Sequence, residues 1–431
     1  MTLADMRPSR RHALLGLVTA GISVDFLASR AFADSEGALA NRKLVVIICR
    51  GGLDGLSLSP PVGDSHYAEL RGPIAIAPFG HAGGALALDE TFGLHPSLVA
   101  THALALKGEA RIAPSVATPD RERSHFEAQD VLESGAAVVY GTSSGWLNRA
   151  LETMGPAGKV KALSVGPTAP LILRGKIETA SWAPGGAAQT DARLPAILQD
   201  LYANDPLLGP ALAEGLATET MSKVAIKDAA MVAAPAMSDA SAMTAQAGAA
   251  GEAYRPVLNQ GLPQARKLGA TLAGFIVQPG GAQVAAVSID GFDTHANQGA
   301  AQGQLAGRLA YVDAFIDGLA TGLGPAWGNT VVVMATEFGR TARVNGTKGT
   351  DHGTASTALV LGGGLKKGGL IGDWPTLASN RLFENRDTAP TMDMRGLFKG
   401  VLRDHMGVER AALDTTIFPG SVAVPATTGL V

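Results

Sequence analysis

The apolar positions of this chain fall in short runs with no alternation. Lys43-Leu-Val-Val-Ile-Ile-Cys49 is β-branched and apolar at both parities, the pattern of a strand covered on both faces. Comparable runs at Ala110–Val116, Ala162–Val165, Ala282–Ile289, Thr330–Ala335 and Thr357–Leu361 predict further strands. Between two of these runs, Leu305, Leu309, Val312, Ile316 and Leu319 recur at steps of four and three, one face of an amphipathic helix. Strand, helix and strand in succession predict an α/β fold with a mostly parallel central sheet and helices on both faces.

Charged residues gather where the runs end. Asp290-Gly-Phe-Asp293-Thr-His295 follows one run, Thr336-Glu337-Phe-Gly-Arg340 follows another, and Asp351-His352-Gly precedes a third. Ligands of a buried parallel sheet collect beyond the carboxyl ends of its strands, so such clusters can converge. Carboxylate with imidazole is the donor chemistry of a divalent metal. Asp290 and His295 can share one ion, and Asp293 is either a further ligand or a partner that orients His295. The same residues also read as turn and cap residues, Asp351-His352 as a solvated turn, and Glu337 as half of a salt bridge to Arg340 or Arg343.

The first half carries two more candidates. Asp54 lies in Gly51-Gly-Leu-Asp-Gly55 at the end of the first run, where glycines let the backbone approach a ligand. Arg121-Glu-Arg123-Ser124-His125-Phe-Glu127 opens a helix, with Ser124 and Glu127 at capping-box spacing. A helix N-terminus flanked by Arg121 and Arg123 suits a phosphate, sulfate or carboxylate, and the plainer reading is a cap alone. His66, His81, His95 and His102 lack carboxylates at ligand spacing and read as structural, as do Asp393 and Arg395.

Composition narrows the class. Ser9-Arg10-Arg11 opens an apolar stretch, Leu14 to Ala31, that closes on Ala31-Phe-Ala33. This is the pattern of a twin-arginine export signal over residues 1–33, and Asp25 argues against its being a permanent membrane anchor. The expected partners are the export machinery and a small anionic ester or a polymer substrate, and the expected location is the periplasm or the exterior, soluble after cleavage. A net charge of −3 with no basic stripe excludes a nucleic-acid binder. The one cysteine, Cys49, rules out an internal disulfide and sits in an apolar run as a core residue. Residues 34–431 read as one domain. Within it, about 194–275 turns rich in Ala, Met and Gln, with low complexity at 228–251, and reads either as a helical cap over the sheet or as a plain surface insertion.

In order, the twin-arginine segment, Leu-Val-Val-Ile-Ile-Cys-Arg-Gly-Gly-Leu-Asp-Gly-Leu, Arg-Glu-Arg-Ser-His-Phe-Glu-Ala-Gln-Asp, Gly-Phe-Asp-Thr-His, Thr-Glu-Phe-Gly-Arg-Thr and Asp-His-Gly-Thr-Ala resemble the bacterial domain-of-unknown-function family 1501. That family is in turn remotely similar to the alkaline phosphatase and sulfatase superfamily, which implies an exported metal-dependent hydrolase of phosphate or sulfate esters. Carried over, the resemblance implies a first metal site from Asp290 or Asp293 with His295 and His352. It implies a second from Asp54 and Glu337, weakened because Phe338 stands where a histidine would ligate. Ser124 resembles the nucleophile's neighbourhood, beside His125, with Arg121 or Arg123 to clamp the anion. Either Ser124 attacks, or water does, or hydrolysis is lost and the chain binds a ligand without turning it over. Histidines favour Zn²⁺, whereas dominant carboxylates would favour Mn²⁺, Mg²⁺ or Ca²⁺.

Overall fold

A computed structural model of the protein describes residues 41–155, 162–166, 169–183, 255–365 and 367–431, together with Leu39, Met221 and Ala225. Two compact units divide the chain, Met1–Arg42 and Lys43–Val431, and the fold below is that of the second. The expected signal peptide at 1–33, and 194–254 of the expected insertion apart from Met221 and Ala225, lie outside the described residues. No described helix is long and apolar enough to cross a membrane.

The strands are β1 (Lys43–Arg50), β2 (Leu86–Ala87), β3 (Gly93–Leu94), β4 (Ala110–Ala117), β5 (Ala162–Val165), β6 (Thr179–Trp182), β7 (Val284–Asp290), β8 (Thr330–Ala335), β9 (Ser356–Leu361), β10 (Gly369–Leu370) and β11 (Met392–Asp393). The helices that matter here are α1 (Gly55–Leu58), α2 (Tyr67–Arg71), α3 (Val99–Leu106), α4 (His125–Ser134), α5 (Trp146–Met154), α6 (Arg255–Val277), α7 (Gln304–Leu323) and α8 (Met394–Asp404). One sheet runs β10-β4-β9-β8-β1-β7-β5-β6, with β11 also beside β4. All its described pairings are parallel except those of β9, which runs against both β4 and β8.

Both faces of β1 are buried, as its unbroken apolar run requires. Val45, Ile47 and Cys49 enter one core with Leu272 and Phe275 of α6, Leu309, Val312 and Ile316 of α7, and Leu104 of α3. Leu44, Val46 and Ile48 enter the other with Leu132 of α4, Trp146 and Leu151 of α5, and Leu397 and Phe398 of α8. Each such aliphatic side chain contributes about 1.5–3 kcal/mol by leaving water. Cys49 is fully buried, and burial pushes its thiol pKa far up, which suits a packing residue. The described part of the expected insertion, within α6, packs in this sheet core against α7.

The reversed strand explains where the polar clusters meet. Because β9 is antiparallel to β8, its first residues lie at the same sheet end as the last residues of β8, β1 and β7. Asp351-His352, which precedes β9, therefore arrives beside loops that follow the other strands.

Candidate metal centre

Asp293 stands at the middle of the convergence. Gly291, at φ 99°, turns the chain out of β7. The Asp293 carboxylate then lies 3.0 Å from His295 Nε2, 3.1 Å from His352 Nε2 and 3.5 Å from His125 Nε2. The Nε2 atoms of His295 and His352 are 3.0 Å apart. Among the described residues, His125, Asp293 and His352 offer donor atoms within 4.8 Å of one another.

The opposite ring nitrogens are tied to acceptors. His352 Nδ1 donates to the Arg123 carbonyl at 2.9 Å, and His125 Nδ1 donates to Glu337 Oε1 at 2.9 Å. His295 Nδ1 faces Asp351 Oδ1 at 3.5 Å. A carbonyl or carboxylate oxygen only accepts, so the neutral imidazoles of His352 and His125 carry their proton on Nδ1. Their Nε2 lone pairs then point at one another's neighbourhood and at a carboxylate, an arrangement that repels unless a cation or an extra proton lies among them. Arg340 Nη1, 3.5 Å from His295 Nε2, is a donor facing the third ring.

Each donor is held from behind. Arg123 takes the left-handed conformation, φ 59°, and its carbonyl meets His352 there. Burial alone would raise the Glu337 carboxyl, but His125, the Gly51 N–H at 2.8 Å and Gln129 Nε2 at 3.2 Å hold it below its usual pKa. The Glu337 contact in turn raises His125 above an ordinary imidazole. Burial lowers His352. Asp293 stays low against its partial burial chiefly because of Arg340, which is fully buried and donates to Oδ1 at 2.7 Å, leaving Oδ2 to face His125. Asn345 holds Asp351 low. Phe338 lies 4.8 and 4.7 Å from the His125 and His352 ring centroids, a buried plate under both. Gly349 has to be glycine, since a Cβ there would sit 2.3 Å from the His295 carbonyl.

A tetrahedral Zn²⁺ with ligands at about 2.0–2.1 Å separates them by roughly 3.3 Å, the edge of that tetrahedron. The contacts of the Asp293 carboxylate with the three rings, and of His295 with His352, at 3.0–3.5 Å, are close to that edge.

A family model described as "Protein of unknown function (DUF1501)" matches residues 41–417. The chain belongs to this family. No curated protein matches it. Similar solved structures include the C-terminal periplasmic domain of EcEptC from Escherichia coli in complex with Zn, at 9% identity and TM-score 0.35, covering 88% of this chain and 87% of that one. A second structure of that domain gives 10% and 0.34 at the same coverage. A mutant TAB5 alkaline phosphatase with Mg bound in its M3 site gives 13% and 0.32, covering 76% and 93%. Likeness at these scores carries no argument about activity.

In this DUF1501 chain the other predicted site residues stand behind the four donors or away from them. Asp54 is buried and filled: it pairs with Arg71 and accepts from Ser57 Oγ at 2.9 Å and Gln298 Nε2 at 2.6 Å. Asp290 is exposed at the end of β7 and lines a separate groove. Glu337 meets the His125 ring from behind. Ser124 is the N-cap residue of α4, yet its hydroxyl makes no cap bond and meets the Glu127 carboxylate instead. The guanidinium of Arg123 is taken by Glu384 at 2.5 Å and Asp387 at 3.0 Å, and that of Arg121 by the Thr118 and Asp120 carbonyls. Arg340 bonds Asp293 where the sequence suggested Glu337. Gln129 carried no sequence signal beyond its four-residue spacing from His125.

Proposed function

We propose that the chain is an exported, divalent-metal-dependent hydrolase of phosphate or sulfate esters. The observation that carries this is the set of Nε2 atoms of His125, His295 and His352 around the Asp293 carboxylate, with their far nitrogens facing Arg123, Glu337 and Asp351. These four residues would hold the ion, and three imidazoles with one carboxylate favour Zn²⁺. When bound, it supplies Lewis-acid polarisation of an ester oxygen. His125 thereby takes a ligand role rather than an acid–base one. Arg340 neutralises Asp293 Oδ1, Glu337 fixes the His125 tautomer, and Phe338 sets the tilt of two rings. The twin-arginine segment supports export.

Among the described residues no hydroxyl bonds any of the four donors, and Ser124 is engaged by Glu127. Water is therefore the favoured nucleophile. The same observation supports the second reading, a periplasmic metal- or anion-binding protein without turnover. The test is to screen aryl phosphates and aryl sulfates with and without chelator. Chelator-sensitive turnover lost in His295→Ala and His352→Ala supports the hydrolase. Bound metal with no turnover on any ester selects the binding protein.

A further inference from the structure

A groove of ≈ 650 Å³ opens beside the metal centre, over the ends of β5 and β7 and along α4. It is a second surface of the same helix. His125 and Gln129 face the centre, whereas Phe126 lines the groove, and Gln129 belongs to both. Arg50 joins the two, donating to Gln129 Oε1 at 2.8 Å and to Glu133 at 2.5 Å.

The walls of the groove are chemically mixed. Phe126 is 81% exposed and Tyr140 71%, and both line it. Tyr140 is held in the left-handed conformation at φ 56°, rare for a bulky residue, with its N–H on Asp130 Oδ1 at 2.6 Å. The lining also carries Asp290, whose carboxylate has no partner among the described residues, and Arg174, of which only Nε is bonded among them. A volume of this size accepts a small molecule, and convergent polar groups set its orientation.

We infer that the groove binds a polyhydroxylated ring, the sugar part of the substrate. A pyranose offers flat C–H faces to Phe126 and Tyr140 and hydroxyls to Asp290, Arg174 and Arg50. The other occupants fit less well. An alkyl chain would lie against five charged side chains, a polyanion would meet Asp130, Glu133 and Asp290, and an extended peptide would find β5 and β7 each paired on both sides. That the ring is the alcohol of a hydrolysed ester rests on the function proposed above, whereas binding of the ring does not.

The experiment is saturation-transfer NMR on the full chain in chelator, with the methyl glycosides of glucose, galactose, mannose and N-acetylglucosamine, and with decanoate and trialanine as alternative probes. Transfer to at least one glycoside is expected, falling at least fivefold in Phe126→Ala and in Asp290→Asn while the melting temperature is unchanged. Transfer to no glycoside, equal transfer in the variants, or transfer only to decanoate or trialanine overturns the proposal. Elemental analysis of the chain before chelator is added separates the two readings: zinc present with no glycoside transfer removes the groove assignment alone, and glycoside transfer by a chain that takes up no divalent metal removes the hydrolase alone.

Discussion

Replacing Glu337 by Gln tests whether the residues behind the histidines matter as much as the histidines. Glu337 Oε1 accepts from Gly51 N at 2.8 Å, His125 Nδ1 at 2.9 Å and Gln129 Nε2 at 3.2 Å, and Oε2 lies 2.9 Å from Thr336 Oγ1. With its amide oxygen in the place of Oε1, glutamine keeps all three N–H bonds, and its amino group can donate to Thr336. Shape and bonding survive, and the negative charge alone is lost. A partner of this kind is worth 10–100-fold in metal affinity, about 1.4–2.8 kcal/mol. Glu337→Ala would go further and leave a buried Gly51 N–H unpaired, at about 1–3 kcal/mol of stability. The assay is competition for zinc against a chromophoric chelator at neutral pH. Glu337→Gln holding zinc as tightly as the parent chain, while His295→Ala weakens it, would refute the role assigned to Glu337.

Two further outcomes follow from residues away from the centre. Asp54→Asn leaves the buried Arg71 guanidinium uncompensated and is expected to lower stability by about 3–5 kcal/mol with metal content unchanged. Urea unfolding and elemental analysis check it, and metal lost from a folded variant would return Asp54 to the ligand set. Asp414 pairs at 2.5 Å with the buried Lys399, which holds its carboxyl below the usual range. A depressed carboxyl stabilises above its unfolded pKa, and that contribution disappears as pH falls through the folded value. Asp414→Asn should therefore be less stable by about 3 kcal/mol at neutral pH, with the difference vanishing in acid. Melting temperature against pH reads it, and a gap that persists in acid contradicts the pairing.

The strand positions are legible because a strand covered on both faces must be apolar at both parities, and β1, β4, β5, β7, β8 and β9 are mostly so, with interruptions such as Arg111, Ser115, Ser164 and Ser288. Strand direction is a property of pairing, so the reversal of β9 was visible only in Asp351-His352 coming before its strand. β6, Thr-Ala-Ser-Trp with one exposed and two half-buried residues, carries too few apolar positions to stand out.

For the site, loop spacing pointed to Asp293, His295 and His352 but did not separate Asp290 from Asp293. That choice is made by Gly291, which turns the chain between them. Sequence places His125 beside Ser124 as a catalytic pair, because the rotation of α4 about its axis, which spacing does not give, decides which of the two faces the centre. Phe338 stands in sequence as a missing ligand, and as a ring it packs against two imidazoles. The guanidiniums of Arg121 and Arg123 looked like an anion clamp only because Glu384, Asp387 and the Thr118 carbonyl are remote in sequence or part of the backbone.

The most direct measurement is the metal content of the purified full chain by elemental analysis, repeated on a His295→Ala, His352→Ala double variant that still melts cooperatively. The account predicts about one zinc per parent chain and none in the variant, since two of the four donors are gone. A parent chain that takes up no divalent ion, or a variant that keeps it, would contradict the centre.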